Sequence, residues 1–392
     1  MRPGSVAWER AREVHEAALG WLRVGAIDAA TERVIRAAFP DPCTTPSLVW
    51  RALTAGMVSA IVLCAFGAFA LAGRFSSTWL QVPLFFFAIA CLVATEVLEA
   101  SPRFARRGAA GATSFWGVAF LLGGLGLFLL ESRGMAVGRV LDALLLASAL
   151  GCGAASWRWG SPFFTALSAT SLFLFLARLP TGRGLWILTG TALTALGARH
   201  LDTPSWAPSH RRSAAILVVA GLLAVYGAVN VFSVQEHGLE RFVRFGPISD
   251  PAPWPLVALS ALATTIVPLV VLAWGARSRR TFVLDIGIVL CVLSLVTLRH
   301  YVHWAPLWVV LACSGAALVL LVLAVERALR RAPGGVIAEF TADPLFTDER
   351  KQQALQIVPV VAAFTAPAAA AEEKDFASGG GRFGGGGASE KF

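Results

Sequence analysis

The residues best suited to chemistry in this 392-residue chain lie in two short connections, Arg299, His300 and His303 in one and Glu236, His237 and Glu240 in the other. Imidazoles and carboxylates are common metal ligands and proton carriers, so a metal-assisted or acid–base centre would draw on them first. Their setting points to a plainer use. Two histidines three apart beside Tyr301 and Trp304 have the composition of a membrane interface, where amphipathic rings sit at headgroup level. The six cysteines, Cys43, Cys64, Cys91, Cys152, Cys291 and Cys313, stand singly and follow neither metal-ligand nor disulfide spacing. No catalytic residue, metal site or cofactor is therefore expected.

The remaining candidates are polar groups inside apolar stretches, where lipid would exclude them unless they have a use. Asp142 and Asp285 each fall in the first turns of a stretch, near Arg139 or near Arg279 and Arg280, and Glu96 and Glu99 end another, with Arg103 four residues beyond Glu99. A helix dipole and a neighbouring guanidinium give all four a structural role. Thr264, Thr265 and Pro268 lie close together in a later stretch, and the proline removes the amide that would bond the Thr264 carbonyl, so a kink or unwound turn is expected there. Ser168, Thr170, Ser171 and Asn230 would line the same polar pathway or bond neighbouring helices.

These residues are positioned by long apolar blocks. Hydrophobic residues make up 56% of the chain and charged residues 15%, a balance that departs from soluble domains toward a membrane protein. Blocks of about 20 residues separated by arginine-bearing loops fit α-helices crossing some 30 Å of hydrocarbon, and the short alternating segments of a membrane barrel are absent from the pattern. Ten spans are expected: Leu48–Gly73, Thr78–Leu98, Ala112–Leu130, Gly138–Ser156, Ser161–Ala177, Gly184–Ala198, Ser213–Val234, Trp254–Gly275, Thr281–Leu298 and Trp304–Val325. The sixth is short and follows Pro180 and Gly182, so a re-entrant segment is the alternative there. The fold class is all-α, a polytopic membrane bundle over residues 46–326.

Arginine placement orients the bundle, because retained cytoplasmic loops are rich in basic residues. Thirteen arginines fall on one side, at Arg103, Arg106, Arg107, Arg158, Arg199, Arg211, Arg212, Arg277, Arg279, Arg280, Arg327, Arg330 and Arg331. Eight fall on the other, and with ten spans both termini are cytoplasmic. The net charge of +9 is mostly arginine near span ends, so membrane lipids are the expected partner and nucleic acid is not. Scarce lysine and abundant alanine suggest a GC-rich bacterial genome, hence a bacterial inner membrane. Small residues recur every four positions at Ala52, Gly56, Ala60, Cys64, Ala68 and Ala72, and again at Ala147, Gly151 and Ala155, which predicts close helix pairing within one chain or in a homodimer.

Residues 1–45 precede the bundle. The opening residues, with Glu9, Arg10, Arg12, Glu13 and Glu16, lack the apolar core of a cleavable signal, so this segment is expected in the mature protein. Trp8, Ala11, Val14, Ala18 and Trp21 recur at helical spacing, Gly25 suits a left-handed helix end, and Asp28 can cap a second helix through Ile35. The run from Leu19 through Trp21, Gly25, Ile27 and Asp28 to Ile35, followed by a span containing Arg51, resembles the bacterial membrane proteins grouped as domain of unknown function 2157. That resemblance implies a Gly-x-Ile turn between two short helices ahead of many spans. It implies no activity or site residues.

Residues 327–392 form an Ala-, Pro- and Gly-rich cytoplasmic tail, expected to be largely disordered apart from a helix capped by Thr347. Its glycine run from Gly379 to Gly387 lacks the flanking strand and helix of a phosphate loop, and Phe383 within it is a candidate docking element. The function expected from the whole is a non-enzymatic assembly or sensing component. It would act through the tail and through a partner-docking hairpin built on Trp8, Trp21, Gly25, Ile27, Asp28 and Ile35. The alternative is a transporter or lipid-handling protein with a pathway near Thr264, Thr265 and Pro268.

Overall fold

The structure is a computed structural model. It describes residues 3–23, 25–40, 47–72, 77–101, 108–133, 136–179, 181, 182–201, 203, 206–235, 253–278 and 280–302, with scattered positions between 309 and 341. Twelve helices are described: α1 (Pro3–Arg23), α2 (Ala29–Ala38), α3 (Leu48–Ala72), α4 (Ser77–Ala100), α5 (Ala109–Arg133), α6 (Val137–Trp159), α7 (Pro162–Ala177), α8 (Gly182–Leu201), α9 (Pro208–Val229), α10 (Val231–Gln235), α11 (Trp254–Ser278) and α12 (Thr281–Val302). The described strands are a two-residue antiparallel pairing of β1 (Val336–Ile337) with β2 (Phe340–Thr341).

Seven described helices, α3, α4, α5, α6, α9, α11 and α12, are long and apolar enough to cross a membrane. Ten are expected from the sequence. Helix α7 is apolar but has 16 residues, which at 1.5 Å each reach about 24 Å. Helix α8 is one continuous 20-residue helix, but Arg183, Arg199 and His200 and many Gly, Thr and Ala residues make it less apolar than the seven. The expected tenth span, Trp304–Val325, lies largely outside the described residues. So do the tail beyond Thr341, including the Thr347 helix and Phe383, and Cys43, Glu236, His237, Glu240 and His303.

The chain divides into two compact units. The first comprises residues 1–12, 36–182 and 206–217, and its centre is α4 packed along α5. Leu84, Ala88, Cys91 and Phe120 are buried there, and Phe66 of α3 closes the cluster with its ring 4.9 Å from Phe120. A Cβ at Gly117 would lie 2.8 Å from Leu92, so the two helices meet where α5 has no side chain. A buried hydroxyl pair joins them, Thr95 to Thr113 at 2.9 Å. Helices α6 and α7 form a hairpin turned at Gly160, whose φ of 66° suits glycine and whose amide closes α6 onto the Ser156 carbonyl at 2.7 Å. Pro162 then opens α7 at a position where no amide is needed.

In this hairpin Ser148 bonds Ser171 at 2.9 Å, Ser156 bonds Thr165, and the Ser168 hydroxyl donates to the Ala149 carbonyl at 2.7 Å. The face of α6 that is used therefore runs through Ser148, Cys152 and Ser156. The expected Ala147–Gly151–Ala155 ridge is only partly engaged, since a Cβ at Gly151 would meet nothing within 4 Å. The carboxylates find partners across helices. Glu96 of α4 accepts from the Arg158 Nε at 2.8 Å and the Trp159 indole at 3.0 Å. Asp142 pairs with Arg178 at the end of α7, not with the nearer-in-sequence Arg139.

The second unit comprises residues 13–35, 183–205 and 218–392. Helices α11 and α12 pack with Gly275 against Leu284 and Gly287 against Leu272, each a contact that a Cβ would close to 2.8 Å. Helix α8 crosses α9 glycine on glycine: a Cβ on Gly190 would stand 2.8 Å from the Gly221 carbonyl oxygen. Between α1 and α2 the chain turns through Gly25 at φ 70°, with the Ala26 amide on the Trp21 carbonyl at 2.9 Å. Asp28 then caps α2 by accepting the Thr31 amide at 2.8 Å.

Hydrogen bonding from the Thr31 hydroxyl, and then from its amide, holds the Asp28 carboxyl below its ordinary pKa. A depressed carboxyl pKa means the cap contributes fully above the usual carboxylate range and is lost as pH falls through the lowered value of Asp28 itself. Asp28→Asn, which keeps the acceptor but cannot titrate, should leave the Thr31 amide resonance insensitive to acid while the native protein's Thr31 amide shifts.

Candidate functional site

The site is built at a break in a helix. An unbroken α9 would send the Val231 amide to the Gly227 carbonyl and the Phe232 amide to the Ala228 carbonyl. Both amides go elsewhere. The Val231 amide donates to the Thr264 hydroxyl of α11 at 2.9 Å, and the Phe232 amide donates to the side-chain carbonyl of Asn230 at 2.9 Å. The helix resumes at once as α10, with the Val234 amide on the Asn230 carbonyl at 3.1 Å. Asparagine competes for backbone donors in this way because its side-chain oxygen lies within reach of the amide two residues on. The expected span Ser213–Val234 is thus two helices joined at Asn230.

Thr264 is fully buried and bonds twice, accepting from Val231 and donating to the Ser260 carbonyl at 2.7 Å. Pro268 is buried one turn further along α11, which continues through it without the amide that would have taken the Thr264 carbonyl. Thr264 lies ten residues, about 15 Å, inside α11 from Trp254. Asn230 also donates through its side-chain amide to the Thr297 hydroxyl of α12 at 3.2 Å. Arg183 at the start of α8 donates to the Ser233 carbonyl at 2.8 Å, closing the break on its far side.

The five residues expected to form one pathway therefore separate. Thr264 meets the break beside Asn230 through the Val231 amide, and Pro268 lies one turn further along α11. Thr265 is exposed and bonds back to its own helix at the Ala261 carbonyl, 3.1 Å away, and Ser168 belongs to the other unit. Tyr226, Ser233, Ser294 and Thr297 join the site without having been singled out. Tyr226 and Asn230 are spaced four apart and so share one face of the helix up to the break, a pattern visible in the sequence. Its pairing with Ser294 and Thr297 needed the fold.

Thr264→Val should leave the Val231 amide buried without an acceptor, at about 1–3 kcal/mol. Thr264→Ser, which keeps the oxygen, should lose much less, and thermal unfolding of the purified protein distinguishes the two.

The other candidates are placed more simply. The His300 ring stacks edge-on against Phe232 at 6.3 Å and Tyr301 at 5.0 Å, as interfacial aromatics do. Among the described residues no group of three His, Cys, Asp or Glu could hold a metal ion. In the N-terminal hairpin, Trp8, Trp21, Ile27 and Ile35 are half-buried, while Ala11 and Ala18 are buried on the same face of α1 as the two tryptophans. The Glu9 carboxylate of α1 accepts the Ser209 amide in the first turn of α9 at 2.9 Å, filling one of the donors a helix leaves open.

Seven described helices of crossing length and apolar composition, with isolated hydroxyls bonding between helices as Thr95 and Thr113 do, are consistent with a multi-pass α-helical membrane protein. No family model, curated protein or solved structure matches this chain.

Proposed function

We propose that this chain is a non-enzymatic component of a bacterial inner membrane, with both termini in the cytoplasm, whose N-terminal hairpin serves assembly or sensing. The observation that carries this reading is the unequal exposure of the two hairpin helices. Helix α1 is half-buried, and Glu9 ties it to α9. Helix α2 leaves Val34 69% exposed, with Phe39 just after it 47% exposed, beside the exposed guanidinium-bearing residues Arg33 and Arg36. Apolar side chains on a short charged helix are suited to a partner surface. The likeness of Leu19–Ile35 to domain of unknown function 2157 fits the same reading, and the tail beyond Arg327 would add a second point of attachment.

Helix α3 supports association within the membrane. Its ridge of Ala52, Gly56, Ala60, Cys64 and Ala68 is exposed along its length, and a Cβ at Gly56 would meet nothing within 4 Å. A partner helix or a second copy would fit such a surface.

The hairpin reading is tested by a photoreactive amino acid placed at Phe39 in living cells. One discrete protein adduct is expected, abolished by Val34→Glu. Absence of any protein adduct would remove the reading.

A second reading, a solute or lipid pathway, is favoured by the helix break at Asn230 set against Thr264 and Pro268. Interrupted helices in membrane proteins line cavities where their freed backbone groups have polar neighbours.

A further inference from the structure

Helix α12 carries an acid on its outward face. Val283, Leu290 and Ser294 form its buried side, whereas Ile288, Val292 and Val296, each more than half exposed, form the opposite one. Asp285 stands three residues before Ile288 and seven before Val292, so it belongs to the exposed side, where it is half-buried. It lies four residues, about 6 Å, beyond Thr281 and so past the first turn, where the helix dipole fades. Among the described residues no hydrogen bond or ion pair reaches its carboxylate. Acids within membrane spans face the bundle or meet a partner, because hydrocarbon offers a carboxylate nothing.

A complementary face follows in the chain. The described positions from Gly315 to Arg331 are helical and exposed, Val319, Leu320 and Leu323 among them. Ala316, Leu320, Leu323 and Arg327 succeed one another at spacings of four, three and four, so an apolar stripe runs straight into a guanidinium. Arg327 has no ion pair among the described residues. Pro306, a residue that interrupts helices, falls 21 positions after Asp285 and 21 before Arg327. A chain that turns there sets Asp285 level with Arg327, Val292 with Leu320 and Val296 with Ala316, acid to base and apolar to apolar.

We infer that α12 docks on the 316–327 face of a second copy of this chain, Asp285 of each protomer meeting Arg327 of its partner. Both faces are exposed in the single chain, so neither covers the other from within. The opposite charges at one depth let a two-fold axis along the membrane normal form the pair twice. Packing α12 against its own counterpart would instead set carboxylate against carboxylate. Lipid can cover the apolar part of each stripe but cannot neutralise the acid. The interface goes beyond the hairpin reading and uses neither the hairpin nor the α3 ridge.

The test uses two full-length chains without the native cysteines, one with Val292→Cys and the other with Leu320→Cys, carrying different affinity tags. They are co-expressed and oxidised in membranes with copper phenanthroline. A disulfide-linked dimer bearing both tags is expected, and Asp285→Arg in both chains should cut its yield about tenfold. Adding Arg327→Asp restores opposite charges and should restore the yield, which a variant that merely misfolds would not do.

Placing both cysteines in one chain separates the occupants. A dimer is again expected. A disulfide confined to the monomer would show that the chain's own closing segment covers α12 and would overturn the inference, as would no disulfide at all. Either result leaves the hairpin reading standing, and absence of a hairpin adduct leaves this interface standing.

Discussion

Gly221→Ala should destabilise the protein by about 3 kcal/mol and sharply reduce the yield of monodisperse protein in detergent. The cause is local. A Cβ on Gly221 collides with the Gly190 carbonyl oxygen and the Thr194 hydroxyl of α8, and lies 3.0 Å from the Thr194 amide. Two of these three are backbone atoms of a second helix, which cannot swing away to make room. Gly190→Ala meets the reciprocal obstacle, the Gly221 carbonyl at 2.8 Å and Val225 at 2.9 Å, and should behave alike. Gly56→Ala and Gly184→Ala are the controls, because nothing lies within 4 Å of either new methyl. Both should be neutral or gain up to about 1 kcal/mol from the better helix propensity of alanine.

Arg178→Met should cost about 2 kcal/mol, read from the unfolding midpoint in denaturant. Arg178 follows α7 with its side chain 13% exposed, pairs with Asp142 and donates to the Gly138 carbonyl at 3.3 Å. Its loss strands a carboxylate at the start of α6 and frees a backbone carbonyl together. The figure is set below that of a fully buried pair because the Asp142 side chain is 37% exposed and water screens it. Asp142→Asn in the Arg178→Met background should restore most of the loss. Asp142→Asn alone should cost less than Arg178→Met, since a cation at the end of α7 keeps the favourable end of the helix dipole.

The elements were legible where local chemistry decides them. Hydropathy located the long helices because a crossing helix must be apolar for its whole length, and Gly25 and Asp28 announced the turn and cap of the first hairpin from residue type alone. Partnerships across distance were not legible. Asp142 stands three residues from Arg139, yet the guanidinium that reaches it is 36 positions away, because α6 and α7 fold back at Gly160. Asn230 read as one polar residue in a continuous span. Its role as a helix break depends on Thr264, which takes the next amide from 33 positions along the chain. Thr264 and Thr265 were indistinguishable in the sequence, and helical geometry turns one into the packed face and the other away from it.

The same limit applies to the small-residue ridges. Spacing marked Ala147, Gly151 and Ala155 as a contact face, whereas α7 brings serines and threonines of its own and so meets α6 along the neighbouring hydroxyl-bearing face. In α3 the ridge is present and exposed, and what covers it in the membrane belongs to the assembly proposal.

The most direct test of a multi-pass membrane protein with a cytoplasmic hairpin is the sidedness of Ala26, an exposed residue in the turn between α1 and α2. Ala26→Cys, in a background lacking the native cysteines, would be treated with a membrane-impermeant thiol reagent in intact cells and in inverted membrane vesicles. Protection in cells with rapid labelling in inverted vesicles is the predicted result. Labelling in intact cells would place the hairpin outside and contradict both the orientation and the role proposed for it.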